Sequence, residues 1–301
     1  QIVDCRLKAA NYQFAIFNLV ILIASMTLPS AAVAQQIELP EIVAVRVGLA
    51  DRYKVGLWTQ VEITLRGGGE AIAGEVSATV PDGDGVPSRV STPPDQPCAI
   101  SPGRETTVRL LCRFGRVSGT LTAEFRMGGH VVARRTFDVA SRADAEHFLP
   151  GLEFQNLIVT VGTSALGVEE AGKLGGAEPE HRPVAARVED VERLPTHWCG
   201  YEGVYAVILS TSRPEIYRKL TADSAQVQAL DEWIRMGGRL VLCAGSQAEK
   251  VLAADAPLRR FAPGRLEKIV PLRPTGALES YGGGRSGMPV KTVLRAPRLA
   301  D

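Results

Sequence analysis

The sequence predicts a β-sandwich followed by a parallel α/β domain. Short runs of alternating apolar residues, separated by Gly, Pro and Asp, fill residues 38–140, as in antiparallel strands with one buried face. After residue 151 the apolar runs become continuous, which is typical of strands covered on both faces. A helical period separates two of those runs. At 301 residues, the chain is long enough for two domains.

The N-terminus has the parts of an export signal. Arg6 and Lys8 precede an apolar stretch over 14–28, and the small residues that follow end in Ala32-Val33-Ala34. A basic flank, a short apolar core and an A-x-A end are typical of a secretory signal, here over residues 1–34, although an uncleaved N-terminal anchor also fits the pattern. We therefore expect an exported protein, located in the periplasm or on the extracytoplasmic face of a membrane.

The first domain is predicted over residues 38–140. Its strands are expected at residues 42–47, 58–65, 74–80, 105–114, 119–126 and 131–139. Strands at this spacing without a long helical period indicate two packed antiparallel sheets, and a span of about 100 residues fits an immunoglobulin-like domain. A polar stretch over 141–151 is the predicted linker.

The second domain is predicted over residues 152–275. Buried strands are expected at residues 157–161, 184–188, 204–209 and 240–243. A helix is expected between the last two, over 222–236, with Thr221 as its N-cap and Gly237-Gly238 as its stop signal. A strand, a helix and a second strand in this order predict a βαβ unit and hence a parallel sheet.

The remaining segment, 276–301, is predicted to be a loop and the start of a continuation. Because the chain begins at Gln1 rather than Met and stops just after an apolar stretch over 290–294, we expect a fragment of a longer protein. A membrane anchor in a missing C-terminal segment is left open. The near balance of 34 basic and 33 acidic side chains excludes a strongly basic protein that binds nucleic acid.

Two motifs in the second half resemble a known family. Residues 194–204 read Leu-Pro-Thr-His-Trp-Cys-Gly-Tyr-Glu-Gly-Val, and residues 230–241 read Leu-Asp-Glu-Trp-Ile-Arg-Met-Gly-Gly-Arg-Leu-Val. Both are similar to segments of the class I glutamine amidotransferase-like, flavodoxin-like domains of exported bacterial proteins of uncharacterised function. The resemblance covers about residues 155–270 and implies a three-layer α/β fold. Proteins of this type often carry a β-sandwich before that domain and membrane segments after it.

The resemblance does not extend to the catalytic residues of true amidotransferases, which use a cysteine nucleophile followed by a histidine and an acidic residue. The thiol nearest a predicted strand end is Cys243. Every histidine of the chain precedes it: His130, His147, His181 and His197. We therefore predict no catalytic site. The alternative is a hydrolase or amidotransferase acting on an envelope substrate, in which His197 activates Cys243 or Ser246 from upstream, since triad order varies between folds.

Four residues are candidates for binding a small ligand. Thr163 and Ser164 follow the first parallel strand, where open α/β sheets place their ligands. Trp198 and Tyr201 add an aromatic pair. Together they suggest a carbohydrate-binding or small-ligand-binding module with a concave pocket lined by these groups. Since no phosphate-binding glycine motif is present, no cofactor is expected.

The cysteines and carboxylates do not predict a metal site. No His or Cys spacing fits a zinc site, and Asp82-Gly83-Asp84-Gly85 is typical of a tight loop. In the first domain, Cys98 and Cys112 either form a disulfide or stay free. The other two, Cys199 and Cys243, are predicted to be free and buried.

The leading hypothesis from the sequence is a non-catalytic cell-envelope protein that binds or assembles with an unknown protein or envelope partner. It combines an export signal with an enzyme-like domain whose expected nucleophile and base are not both present. Because a fold does not by itself confer chemistry, the missing pair carries more weight than the family resemblance.

Overall fold

The computed structural model describes residues 38–139, 148–162, 167–168, 182–272 and 294–300. The described residues from 39 onward belong to one compact unit. The predicted signal at 1–34 and the candidate ligand residues Thr163 and Ser164 lie outside the described residues.

The first half of the chain contains nine strands within the described residues. They are β1 (Glu41–Val47), β2 (Arg52–Lys54), β3 (Trp58–Arg66), β4 (Ile72–Pro81), β5 (Pro87–Ser91), β6 (Cys98–Ile100), β7 (Glu105–Arg113), β8 (Gly119–Met127) and β9 (His130–Val139). Six of them coincide with the predicted strands to within two residues at each end. The other three, β2, β5 and β6, have only three to five residues, which is too short for a clear alternating pattern.

These strands form a β-sandwich, as predicted. One antiparallel sheet has the order β1-β3-β7, and the other has the order β5-β4-β8-β9 with β6 paired to β4. Alternate apolar residues of facing strands fill the space between the sheets, among them Val61, Ile63, Val76 and Phe125, all with no exposed surface. Alternation places these side chains on one face of each strand and thereby builds the core.

The outer face of β3 is also covered. Gln60 and Glu62 point away from the sandwich core, yet they are only 3% and 9% exposed. The 3-10 helix Trp198–Tyr201 packs against β3 from the second half of the chain. The alternating pattern predicts that β3 is exposed to solvent on one face. In the structure both faces are buried, because residues more than 130 positions away cover the outer one.

The second half contains seven strands and two α-helices within the described residues. They are β10 (Leu149–Gly151), β11 (Leu157–Val161), β12 (Val184–Val188), β13 (Val204–Ser210), α1 (Ala225–Arg235), β14 (Leu240–Cys243), α2 (Ala248–Leu252), β15 (Arg265–Leu272) and β16 (Leu294–Ala300). Four of the strands pair in parallel in the order β12-β11-β13-β14. The last two strands, β15 and β16, form a separate antiparallel pair.

Helix α1 is shorter than predicted at its N-terminus. The N-cap is Ser224 rather than Thr221, because residues 221–224 form a turn in which the Ser224 amide donates to the Thr221 carbonyl oxygen. At the other end the prediction holds, since Gly237 adopts a left-handed φ of 101° directly after the helix. The buried face of α1 presents Leu230 and Trp233 to the core of the parallel sheet.

The segment that was predicted as a linker contributes to a sheet. Its last residues form β10, which pairs in parallel with β2, so that Leu149 lies opposite Arg52. The Leu149 amide also donates to the Asp51 carbonyl oxygen. This pairing ties the start of the second half to the sandwich about 100 residues earlier, which a local sequence pattern does not reveal.

Candidate functional site

The carboxyl edge of the parallel sheet is where ligands usually bind in such sheets. The strand order reverses between β11 and β13, and a crevice normally opens at that point. Here the crevice is filled by the Tyr217 side chain, which is 3% exposed. Its hydroxyl lies 3.1 Å from the Val161 carbonyl oxygen and 2.9 Å from that of Ser210, the last residues of β11 and β13. Within the described part of the chain, the phenol ring thus closes the gap between the carboxyl ends of β11 and β13.

Gly162 makes this closure possible. A Cβ atom at this position would lie 2.6 Å from the Tyr217 hydroxyl oxygen and 2.5 Å from the Ser210 carbonyl oxygen. Its φ of 79° also lies in the left-handed region, which favours glycine. Burial raises the pKa of Tyr217, so its hydroxyl keeps the proton that it donates. Tyr217 has no signal in the sequence, because a single tyrosine in a polar segment has no pattern of its own.

Cys243 lies at the same edge, at the end of β14, where it pairs with Ser210 of β13. The thiol is half-buried rather than fully buried as predicted. Burial raises the pKa of this thiol, which therefore stays protonated at neutral pH. The nearby Ser246 is exposed in the turn between β14 and α2.

The structure does not bring His197 to Cys243. His197 caps the 3-10 helix Trp198–Tyr201, where its Nδ1 accepts a hydrogen bond from the Cys199 amide at 3.3 Å. That helix precedes the first residue of β13, whereas Cys243 pairs with the last. His197 and Cys243 therefore lie at opposite ends of β13. A strand of seven residues is about 20 Å long, since each residue advances the chain by about 3.3 Å. His130, the other histidine that the structure describes, lies on β9 of the sandwich.

Tyr201 and Trp198, the predicted aromatic pair, have different environments. Tyr201 is completely buried in the core, with its ring centroid 5.5 Å from that of Trp233. Burial raises the pKa of its hydroxyl. A side chain with no exposed surface does not meet a ligand from solvent, so Tyr201 supports the core. Trp198 is only half-buried and lines a cleft at the amino edge of the sheet.

This cleft, which we call the aromatic cleft, has a volume of about 390 Å³. The side chains that define it belong to the 3-10 helix and the residue after it, to β13, and to the end of α1 with the turn that follows: Trp198, Glu202, Tyr205, Trp233, Met236 and Arg239. It lies at the end of the sheet opposite to Cys243, because Tyr205 is near the start of β13 and Arg239 directly precedes β14.

Backbone and side-chain contacts hold the aromatic cleft in place. The Arg239 guanidinium lies over the Tyr205 ring, 4.3 Å from its centroid, as a cation–π pair. Gly238 lies flat against the Trp233 indole, so a Cβ there would come within 2.3 Å of the ring. The Glu202 carboxylate accepts a hydrogen bond from the Trp58 amide of the sandwich at 2.6 Å. Tyr205 and Met236 remain 45% and 55% exposed.

Most of these residues were not predicted to bind a ligand. Tyr205 sits in a run that predicts a buried strand, and its exposure near the amino end of β13 is the property that distinguishes it. Arg239 follows the two glycines that end α1, and the sequence indicates it only as part of the 230–241 motif. Only the folded chain brings these groups beside Trp198.

The described part of the chain has no metal-type cluster of three or more His, Cys, Asp or Glu side chains. In the 82–85 loop, Asp82 Oδ1 accepts hydrogen bonds from the amides of Asp84 and Val86, as expected for a tight connection between β4 and β5. The four cysteines that the structure describes are free, so Cys98 and Cys112 do not pair. Among the same residues, no helix has the length and apolar character required to traverse a bilayer.

In comparisons with known proteins, a family model matches the first half of the chain by sequence. Residues 28–140 match the model of a domain of unknown function (DUF8726), a range that contains the whole sandwich. No curated protein matches the chain.

Solved structures give weak similarities. Spo0M, a sporulation control protein from Bacillus subtilis, is 14% identical with a TM-score of 0.24, over 35% of this chain and 49% of Spo0M. The chain thus spans about half of Spo0M. A CARDB domain from Pyrococcus furiosus, solved in complex with di-metal ions, is 15% identical with a TM-score of 0.24, over 38% of this chain and 98% of that domain. Beta-glucuronidase 2 from Bacteroides uniformis is 9% identical with a TM-score of 0.28, over 73% of this chain and 28% of the glucuronidase. Similarities this weak assign neither a ligand nor an activity to the chain.

Proposed function

We propose that this chain is an exported, non-catalytic binding protein of the cell envelope, and that it binds its partner through the aromatic cleft. The observation that carries the proposal is the cleft itself. It combines exposed aromatic surface with one carboxylate and one guanidinium in a shallow, open depression, and aromatic side chains with a few polar groups are the usual lining of a binding site. The export signal that the sequence predicts at 1–34 supports a location at the extracytoplasmic side of a membrane.

In this proposal the sandwich is immunoglobulin-like and the second half is a degenerate flavodoxin-like, glutamine amidotransferase-like domain. The motifs at 194–204 and 230–241 support that resemblance. The position of Tyr217 supports the loss of activity, because it occupies the point at which an active domain of this type would hold its substrate.

The competing hypothesis is an enzyme that uses Cys243 or Ser246. A thiol nucleophile needs a base within hydrogen-bonding reach, and His197 is at the other end of β13. The raised pKa of Cys243 is the opposite of what activation requires. We therefore favour binding over catalysis.

Sedimentation of the purified chain with a washed bacterial envelope fraction tests the proposal. The double variant Tyr205→Ala/Arg239→Ala removes one cation–π pair from exposed positions, where substitutions leave stability nearly unchanged. We expect the bound fraction to fall about tenfold in this variant, since a few central aromatic and arginine side chains dominate most interfaces.

Two matched variants serve as controls. Met127→Ala removes a similarly exposed apolar side chain from the sandwich, and Cys243→Ala removes the candidate nucleophile. Both are expected to sediment like the unmodified chain. Equal sedimentation of the cleft variant and the unmodified chain contradicts the proposal, and so does a loss of binding confined to Cys243→Ala, because the binding surface would then lie at the carboxyl edge of the sheet.

A further inference from the structure

We infer that the aromatic cleft binds a neutral carbohydrate. This inference rests on the proposed binding function of the same cleft and adds the chemical class of the ligand. A sugar ring has an apolar face of C–H groups and an edge of hydroxyl groups, so its site must supply flat apolar surface together with hydrogen-bonding groups. The following contacts supply both.

The flat surface comes from aromatic rings. Trp198 and Tyr205 are partly exposed in the cleft, and Trp233 forms its floor with only 6% of its surface exposed. The third tryptophan of the chain, Trp58, is 40% exposed and is joined to the cleft through the bond from its amide to Glu202. Two of the three tryptophans of the chain therefore line the cleft, and the backbone of the third contacts Glu202. Such rings present large, rigid apolar surface at a small cost in side-chain entropy.

The hydrogen-bonding groups are one acceptor and one donor. The Glu202 carboxylate has two oxygens, of which Oε2 accepts from Trp58. The Arg239 guanidinium is an obligatory donor, and the Tyr205 ring fixes the plane in which it lies. A hydroxyl group both donates and accepts, so it matches a site with one group of each kind. A charged group matches only one of them.

The charges also disfavour ionic ligands. The charges of Glu202 and Arg239 sum to zero, so the cleft has no net charge to attract an ion. The Tyr205 face that would attract a cation already carries the Arg239 guanidinium. An anion that approaches Arg239 meets the Glu202 carboxylate in the same cleft. A neutral ligand avoids both repulsions.

The size of the cleft fits one or a few sugar units. At about 390 Å³, it lies near the lower end of the range for small-molecule sites, about 300–1,000 Å³. Tyr205 and Met236 are exposed at its edge, so the cleft is open to solvent on that side and a longer ligand can extend beyond it. We therefore expect a short oligosaccharide to bind better than a single sugar.

Isothermal titration calorimetry with three oligosaccharides tests the inference. The neutral probe is chitotetraose, the cationic probe is its fully deacetylated form, and the anionic probe is tetragalacturonate. We expect the full chain to bind chitotetraose about tenfold more tightly than either charged probe, because like-charge contacts oppose both of them. Tightest binding of a charged probe, or no binding of any probe, overturns the inference.

Variants of the cleft assign the binding to these residues. Trp198→Ala is expected to weaken chitotetraose binding about tenfold, and Trp198→Phe, which keeps a ring, to weaken it less. Tyr205→Ala provides the same test at an exposed position where folding is not at risk. Glu202→Gln removes the negative charge and leaves the cleft with the positive charge of Arg239. This variant is therefore expected to gain affinity for tetragalacturonate relative to chitotetraose. Unchanged chitotetraose binding in both aromatic-to-alanine variants contradicts the assignment.

The two proposals fail separately. If none of the oligosaccharides binds but envelope sedimentation still depends on Tyr205 and Arg239, the cleft binds another class of ligand, and only the carbohydrate inference is overturned. If sedimentation does not depend on these residues either, the proposed function is overturned as well.

Discussion

Gly162 shows how a single residue decides the use of the carboxyl edge. It combines a left-handed φ of 79° with contact to Tyr217 and to the Ser210 carbonyl oxygen on the side where a Cβ would lie. Only glycine meets both requirements, and with it the tyrosine hydroxyl reaches the carbonyl groups of two strands. Among the described residues, Tyr217 therefore fills the gap between the ends of β11 and β13.

Substitution of Gly162 by alanine is expected to destabilise the protein more than the matched change Gly237→Ala. Both glycines have left-handed backbones, which cost alanine about 1–2 kcal/mol, but a Cβ at Gly237 meets no atom within 4 Å. The clash at Gly162 adds about 1–3 kcal/mol from overpacking. Urea denaturation followed by circular dichroism measures both free energies of unfolding. Equal losses in the two variants would show that Tyr217 does not pack as described.

Strands β8 and β9 carry a buried carboxylate between two arginines. Glu124 lies opposite Arg134 in the register of these strands and is 6% exposed. It accepts hydrogen bonds from Arg126 at 2.9 Å and from Arg134 at 2.7 Å. Burial acts to raise the pKa of Glu124, but the hydrogen bonds and charges of the two arginines outweigh it and lower this pKa below its usual value.

The strand pair should therefore lose stability in acid. A carboxyl group whose pKa is lowered by folding stabilises the native state above its unfolded pKa, about 4.3, and that contribution is lost as the pH falls through the folded pKa. Glu124→Gln is expected to reduce the free energy of unfolding by about 1 kcal/mol at pH 7 and by much less at pH 3. Urea denaturation at several pH values measures this difference.

The exposed pair Arg66–Glu105, on the other sheet, is the matched control. Its side chains are about half exposed, so Glu105→Gln is expected to change stability by less than about 0.5 kcal/mol at any pH. If the difference between Glu124→Gln and the unmodified chain is the same at pH 7 and pH 3, the ionised carboxylate is not the source of the stabilisation.

At the scale of the whole molecule, polar contacts join the sandwich to the parallel sheet. Gln60 of β3 is buried, and its Oε1 accepts hydrogen bonds from the Thr196 amide at 3.1 Å and from the Thr196 hydroxyl at 3.4 Å. Nearby, Arg109 donates to the Glu192 carbonyl oxygen at 3.1 Å. These contacts connect residues that are 83 and 136 positions apart, and they lie within one compact unit.

Loss of the Gln60 side chain is expected to destabilise both halves together. Gln60→Ala leaves the partly buried Thr196 amide without its acceptor, which costs about 1 kcal/mol, the lower end of the range for a buried group. Tryptophan fluorescence and far-ultraviolet circular dichroism should then report the same lowered urea midpoint. The control is Gln228→Ala on the exposed side of α1, which is expected to leave the midpoint unchanged. An unchanged midpoint in Gln60→Ala would contradict a structural role for this contact.

The sequence by itself determined where most strands lie. Alternation of apolar residues marks β3 and β8, and continuous apolar runs mark β11 and β14, because the period of burial is set by the local geometry of a strand. The left-handed glycine after α1 is likewise a local property, since only glycine adopts that φ without strain. Cys243 was also correctly predicted at the end of a strand.

The tertiary structure alone decided which side chains meet. Tyr217 fills the carboxyl edge, Tyr201 is buried in the core, and His197 lies far from Cys243, because each position depends on elements that are distant in the chain. Trp198, Tyr205 and Arg239 form the aromatic cleft for the same reason. Hydrophobic periodicity predicts which face of an element is buried, but it does not predict which other element covers that face. The candidate site depends on how the elements pack against each other.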